Sequence, residues 1–177
     1  MYIVKQNFTL GLSIVFFLLS TVPAFAVETV EAKVRCVVGG DEIIVLIEGE
    51  EERVRFIGAD TPETAKPGES AEPFGPEALA FTEKNLAGET VWLEMDEPPR
   101  DEYRRLLAYV WLSPPESGEP TETEIRENLF NALLLLGGYA QLTTIPPNVR
   151  YAGCFTRFQE EAREHVRGLW SRYCPLQ

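Results

Sequence analysis

The chain has 177 residues, with 28 Asp and Glu against 16 Lys and Arg, and a formal net charge of −12. That balance argues against a protein that coats nucleic acid nonspecifically, while leaving room for an enzyme with a local basic site. A single His and three Cys without paired spacing argue against a zinc centre.

Residues 1–26 carry Lys5 near the start, an apolar stretch from Leu10 to Leu19, and Ala24-Phe25-Ala26, a small-x-small cleavage pattern. This is the grammar of a secretory signal peptide, and the run is short for a membrane span. The expected mature part is residues 27–177, one domain with a single core. It would be periplasmic or secreted, with no membrane attachment after cleavage. Export makes one disulfide and one free thiol the expected state of Cys36, Cys154 and Cys174. Cys154 and Cys174 flank a predicted helix that would hold them too far apart to bond; the pairing stays open, with Cys36 and Cys174 the first pair to test.

Val34, Cys36 and Val38 alternate, Ile43 to Ile47 forms a second run, and Gly49-Glu50 marks a turn into a third strand, Arg53 to Ile57. Alternation puts Val54 and Phe56 on one face and Arg53, Arg55 and Ile57 on the other. A loop is expected from Gly58 to Pro73. Pro76 then suits the first helical residue and Gly88 the stop, with Ala78, Phe81, Thr82 and Leu86 on one face. Thr90 to Met95 and Arg105 to Leu112 read as two more strands joined by Asp96 to Glu102. Tyr109 and Trp111 on the last of these read as packing residues rather than base-stacking ones.

Ser113 to Pro120 reads as a surface loop, and Glu122 to Leu136 as a helix closed by Gly137-Gly138. The last helix is expected from Thr156 to Trp170, with Phe155, Phe158, Ala162, Val166 and Leu169 as its apolar stripe. His165 reads as a surface residue. Five strands, a helix between the third and fourth, and C-terminal helices predict an α+β, mainly β chain: a five-stranded OB-fold barrel with three α-helices.

The chemistry concentrates in three places. The strand Val54-Arg55-Phe56-Ile57 leads into Gly58-Ala59-Asp60-Thr61-Pro62-Glu63-Thr64, which presents two carboxylates. The turn Gly39-Gly40-Asp41-Glu42 and the run Asp101-Glu102-Tyr103-Arg104-Arg105 supply more. If these converge, hard oxygen ligands from Asp41 and Asp60 suit calcium or magnesium. Arg55 and Arg105 suit a phosphate, held by bidentate hydrogen bonds. Glu63 would be left to activate or orient water.

Asp60-Thr61-Pro62-Glu63-Thr64 after a strand Arg, then Phe74-Gly75-Pro76-Glu77-Ala78, then Asp101-x-Tyr103-x-Arg105-x-Leu107-Ala108-Tyr109 resemble the staphylococcal nuclease family. The resemblance runs from about Ala32 to Trp170. It implies an OB-fold barrel and a calcium-dependent endonuclease acting as a monomer on DNA and RNA, single strands or frayed ends favoured, with 3′-phosphate products. By position, Asp41, Asp60 and the main-chain carbonyl of Thr61 would ligate Ca2+. Glu63 would handle the attacking water, Arg55 and Arg105 would bind the phosphate, and Asp101 and Tyr103 would shape the nucleotide pocket. Three departures stand out: Gly39 and Glu42 in a turn that usually reads Asp-Gly-Asp-Thr, Arg104 where Gly is common, and Glu102 where the type enzyme has Lys. They leave a second reading open, a catalytically weak or inactive OB-type nucleic-acid or ligand-binding module.

Overall fold

The computed structural model describes residues 27–65, 68 and 70–172. The expected signal peptide and Cys174 lie outside them, and with Cys174 the first pair to test.

Strands β1 (Val30–Gly39), β2 (Glu42–Ile47) and β3 (Glu50–Phe56) form an antiparallel meander. Glu48 and Gly49 both take positive φ between β2 and β3, the primed turn that matches strand twist. A short strand β4 (Ala59–Asp60) follows, then helix α1 (Gly75–Leu86), β5 (Thr90–Arg100) and β6 (Leu106–Trp111). The sheet closes as a barrel in the order β1-β2-β3-β6-β5, with β3 and β6 parallel and the other pairs antiparallel. This is the expected OB-type barrel. The alternate side chains of its strands, among them Val34, Ile43, Val45, Val54, Phe56, Val91, Leu93, Ala108 and Val110, fill the interior. Tyr109 and Trp111 are buried too, the packing role expected of them. Cys36 is exposed on β1, and His165 is exposed as expected.

Several expectations need correction. The single helix over Glu122 to Leu136 is two, α2 (Glu122–Asn128) and α3 (Phe130–Leu136), which makes four α-helices among the described residues rather than three. Leu129 between them is extended (φ −92, ψ 111), pairs with Trp111, and the Leu112 N–H donates to the Asn128 carbonyl at 2.8 Å. The chain leaves the helix there to satisfy backbone groups at the end of β6. The loop expected from Gly58 contains β4, which pairs with β7 (Gln141–Leu142), so Asp60 sits on a short strand. β5 runs on through the expected linker to Arg100, and only Asp101 to Arg105 turns.

The last helix, α4 (Ala152–Glu164), begins before Cys154 and ends early. Its Phe155, Phe158 and Ala162 are buried as expected, but Val166 is 49% exposed. The Arg167 N–H returns to the Ala162 carbonyl at 2.9 Å while Val166 takes φ 54, a left-handed cap that ends the helix before the stripe can continue.

Two glycines bring the site segments together. A Cβ on Gly40 would meet the Thr61 side chain at 2.6 Å, so only Gly lets the β1–β2 turn press against the chain after β4. A Cβ on Gly75 would lie 2.3 Å from the Glu63 carbonyl, so the start of α1 can back directly onto Glu63.

Candidate active site

The three sequence segments converge on one side of the barrel. Glu42 and Arg55 are cross-strand partners on β2 and β3, and Arg55 is paired in register with Leu107 on β6. The turn before β6 carries Asp101 to Arg105. Arg55, Asp60, Glu63, Asp101, Tyr103 and Arg105 all line one cleft of about 660 Å³. Thr143 and the Ile145–Asn148 segment complete its lining. Asp41 and Thr61 lie behind this lining, 4% and 9% exposed.

Two arginines organise the floor. Arg55 Nη1 donates to Asp41 Oδ1 at 2.7 Å, and its Nη2 donates to Asp60 Oδ1, so one guanidinium bridges two carboxylates. The second oxygen of Asp41 accepts the Thr61 N–H at 2.9 Å. Burial pushes the Asp41 carboxyl up to about 6, against the downward pull of Arg55 and the Thr61 N–H.

Arg105 is held in the same manner. Its Nε donates to Asp101 Oδ2 and its Nη1 to Glu42 Oε2, both at 2.7 Å. Asp101 also caps the turn, accepting the Tyr103 and Arg105 N–H groups on Oδ1 at 3.0 and 2.9 Å. Burial pushes the Asp101 carboxyl up, yet the contacts with Arg105 and these N–H groups outweigh it and leave the group below its usual range. Tyr103 is 72% exposed, with the Arg105 guanidinium 5.3 Å from its ring centroid. Arg104 occupies φ 66, a left-handed conformation, which explains why Gly suits that position. Glu63 is held through its main chain: its N–H donates to Glu72 Oε2 and its carbonyl accepts the Glu72 N–H, each at 2.9 Å.

Sequence reasoning missed Glu42 as the partner of Arg105. It also missed Arg53, whose Nε donates to Glu42 Oε1 at 2.8 Å. The pairing of Glu42 with Arg105 spans 63 positions, and the only local signal was a carboxylate where the resembling family has a hydroxyl.

Among the described residues no three His, Cys, Asp or Glu side chains cluster as a ready metal centre. What the site offers is oxygen only: the Asp41 and Asp60 carboxylates drawn to one guanidinium, with main-chain carbonyls nearby in sequence. That chemistry fits a hard cation that keeps water or substrate oxygens in its shell, and not a soft one.

A closed five-stranded barrel whose rim gathers carboxylates around two arginines is the architecture of a nuclease-type hydrolase. A family model described as staphylococcal nuclease homologue matches residues 53–172. The chain is 40% identical over 139 residues to a thermonuclease of Staphylococcus intermedius, covering 78% of this chain and 75% of that one. It is 37% identical over 139 residues to a thermonuclease of Staphylococcus hyicus, with the same coverage. It is 30% identical over 136 residues to the endonuclease YncB of Bacillus subtilis (strain 168), covering 76% of this chain and 59% of that one. The chain belongs to the staphylococcal nuclease family.

Proposed function

We propose that this nuclease is a calcium-dependent endonuclease that hydrolyses DNA and RNA to products ending in 3′-phosphate, working outside the cytoplasm as residues 27–177 after loss of residues 1–26. The observation that carries the reading is the pair of arginines, Arg55 and Arg105, each gripped by two carboxylates and both lining one cleft. A family likeness to proteins named thermonuclease supports it.

Arg55 and Arg105 take the non-bridging oxygens of the scissile phosphate and stabilise the charge that grows as water adds. Glu63, fixed through its backbone against Glu72 and the start of α1, orients the attacking water or accepts its proton. The bond to the 5′-oxygen breaks, that oxygen leaves with a proton, and the phosphate stays on the 3′ side. Asp101 holds Arg105 in place, and Tyr103 covers the nucleotide from the solvent side. Asp41, Asp60 and the Thr61 carbonyl would hold the calcium ion, which would supply positive charge to stabilise the phosphate.

The chemistry is tested at the product ends. Single-stranded DNA and RNA fragments made in calcium should resist extension by a polymerase until a phosphatase removes their 3′-phosphates. Fragments extendable as produced would contradict the bond assignment. Binding without any fragments, from folded protein, would move the assignment to the non-catalytic module.

A further inference from the structure

Glu42 does more in this fold than sit beside Asp41. Its side chain is 9% exposed and bridges two arginines. Oε1 accepts from Arg53 Nε at 2.8 Å and from Arg53 Nη2, while Oε2 accepts from Arg105 Nη1 at 2.7 Å. Asp101 already holds Arg105 Nε at 2.7 Å. Among the described residues Nη2 is thus the Arg105 nitrogen with no hydrogen bond to protein. An arginine grips a phosphate with two parallel N–H donors: the Nε–Nη2 fork has its Nε–H taken by Asp101, and the Nη1–Nη2 fork would seat a phosphate on the second Nη1 N–H, directly beside the like-charged Glu42 carboxylate.

We infer that Glu42 is an internal anion that competes with the substrate phosphate for Arg105, and that Arg53 keeps Glu42 paired when the phosphate displaces it. The inference rests on the assignment of Arg105 to the phosphate. Displacement by itself would strand a desolvated carboxylate, which is costly. Arg53 removes that obstacle, because it grips the other oxygen of Glu42 through two nitrogens and would not have to move. The exchange sets a threshold for ligands. A lone phosphate must pay the full displacement from a single contact. A polynucleotide displaces Glu42 with the help of neighbouring nucleotides already bound along the cleft, as linked binding events reinforce one another. Glu42 therefore selects polymers over mononucleotides, in an active site whose surroundings are already acidic.

The test measures binding of a fluorescein-labelled oligodeoxythymidylate by anisotropy, in excess chelator, so that nothing is cleaved. Glu42→Gln should bind roughly fivefold to tenfold tighter, since a neutral amide releases Arg105 without adding bulk. Glu42→Ser should shift in the same direction, which protects the result if one variant folds poorly by thermal melting. Glu50→Gln makes the same charge change at an exposed position and should alter binding by less than about twofold. Arg53→Gln should weaken binding in the wild-type background and have much less effect in Glu42→Gln, a coupling that simple charge counting does not give. Inorganic phosphate should compete better against the label on Glu42→Gln than on the wild type. Binding by folded Glu42→Gln and Glu42→Ser that is unchanged or weaker, with the wild type still digesting DNA, overturns this inference alone and makes Glu42 a residue that orients Arg105. A wild type that neither binds nor digests overturns the nuclease site itself.

Discussion

Two buried carboxylates in this barrel have nearly the same burial and different surroundings. Glu94 on β5 is 1% exposed and Asp41 is 4% exposed, and burial pushes both carboxyls upward. Glu94 accepts the Trp111 indole N–H at 2.8 Å and the Tyr151 hydroxyl at 2.9 and 3.1 Å, with Arg150 at 2.8 Å. Two of its partners are neutral donors and the third is Arg150, and none of Glu94, Trp111, Tyr151 and Arg150 lines the cleft. Asp41 instead faces Arg55, whose guanidinium does line it and also reaches Asp60. Burial of a charge alone does not mark a site. The sign of function is a partner cation that opens onto a cleft where a ligand can take it over.

The largest expected difference between the two regions is catalytic. Arg105→Gln or Arg55→Gln should lower kcat/KM on single-stranded DNA by about 10³-fold, as removal of a transition-state donor does, and should also lower Tm, because buried Glu42 or Asp41 loses a cation partner. Steady-state digestion paired with thermal melts separates the two effects. Next comes Glu94→Ala, which leaves buried indole and phenol donors unpaired beside a new cavity. It should cost about 3 kcal/mol of stability while leaving the digestion rate of the folded fraction unchanged. Equal loss of activity per folded molecule would erase the distinction between sealed and open carboxylates.

A change of pH separates Asp41 from the less buried carboxylates. Asp41 has an ordinary value of 3.8 and is raised to about 6 in the fold, so the folded protein holds this proton more tightly than the unfolded chain. Its contribution to stability is fully present below about pH 4 and is lost as pH rises through about 6, roughly 2–3 kcal/mol in all. The lowered carboxyls of Glu52, Asp101 and Glu161 work in the opposite sense, adding stability as pH rises out of the acid range. Denaturant melts in chelator, with wild type minus Asp41→Asn plotted against pH, should therefore fall between pH 4 and 7. A rising difference would contradict the burial of Asp41. The smallest effect is at Arg104, held at φ 66: Arg104→Gly should stabilise by about 0.5–1 kcal/mol in the same melts.

Much of this arrangement could be read before any coordinates. Alternation in Val54-Arg55-Phe56 separates core from rim, and Pro76 and Gly88 bracket α1, because those signals are local. That Asp60 and Glu63 would share a cleft with Arg55 was legible because they follow it within a few residues on one continuous segment. What escaped depends on distant partners. The break at Leu129 is invisible in an apolar run that keeps helical spacing, since its cause is the end of β6. Glu94 looks like any strand carboxylate until Trp111 and Tyr151, 17 and 57 positions away, close over it. Glu42 looked like a disturbance of a metal turn, and only the barrel reveals that Arg105 is its partner.

On the proposed function, the carboxylate and arginine rim cuts phosphodiesters with a hard cation and with Glu63 handling the water. The most direct measurement is digestion of denatured DNA by residues 27–177 in calcium, in magnesium and in excess chelator, with Glu63→Gln alongside. Cleavage in calcium that chelator stops, and that Glu63→Gln lowers by about 10²–10³-fold with the fold intact, is the result expected. Cleavage that persists in chelator, or that Glu63→Gln leaves unchanged, would contradict the account.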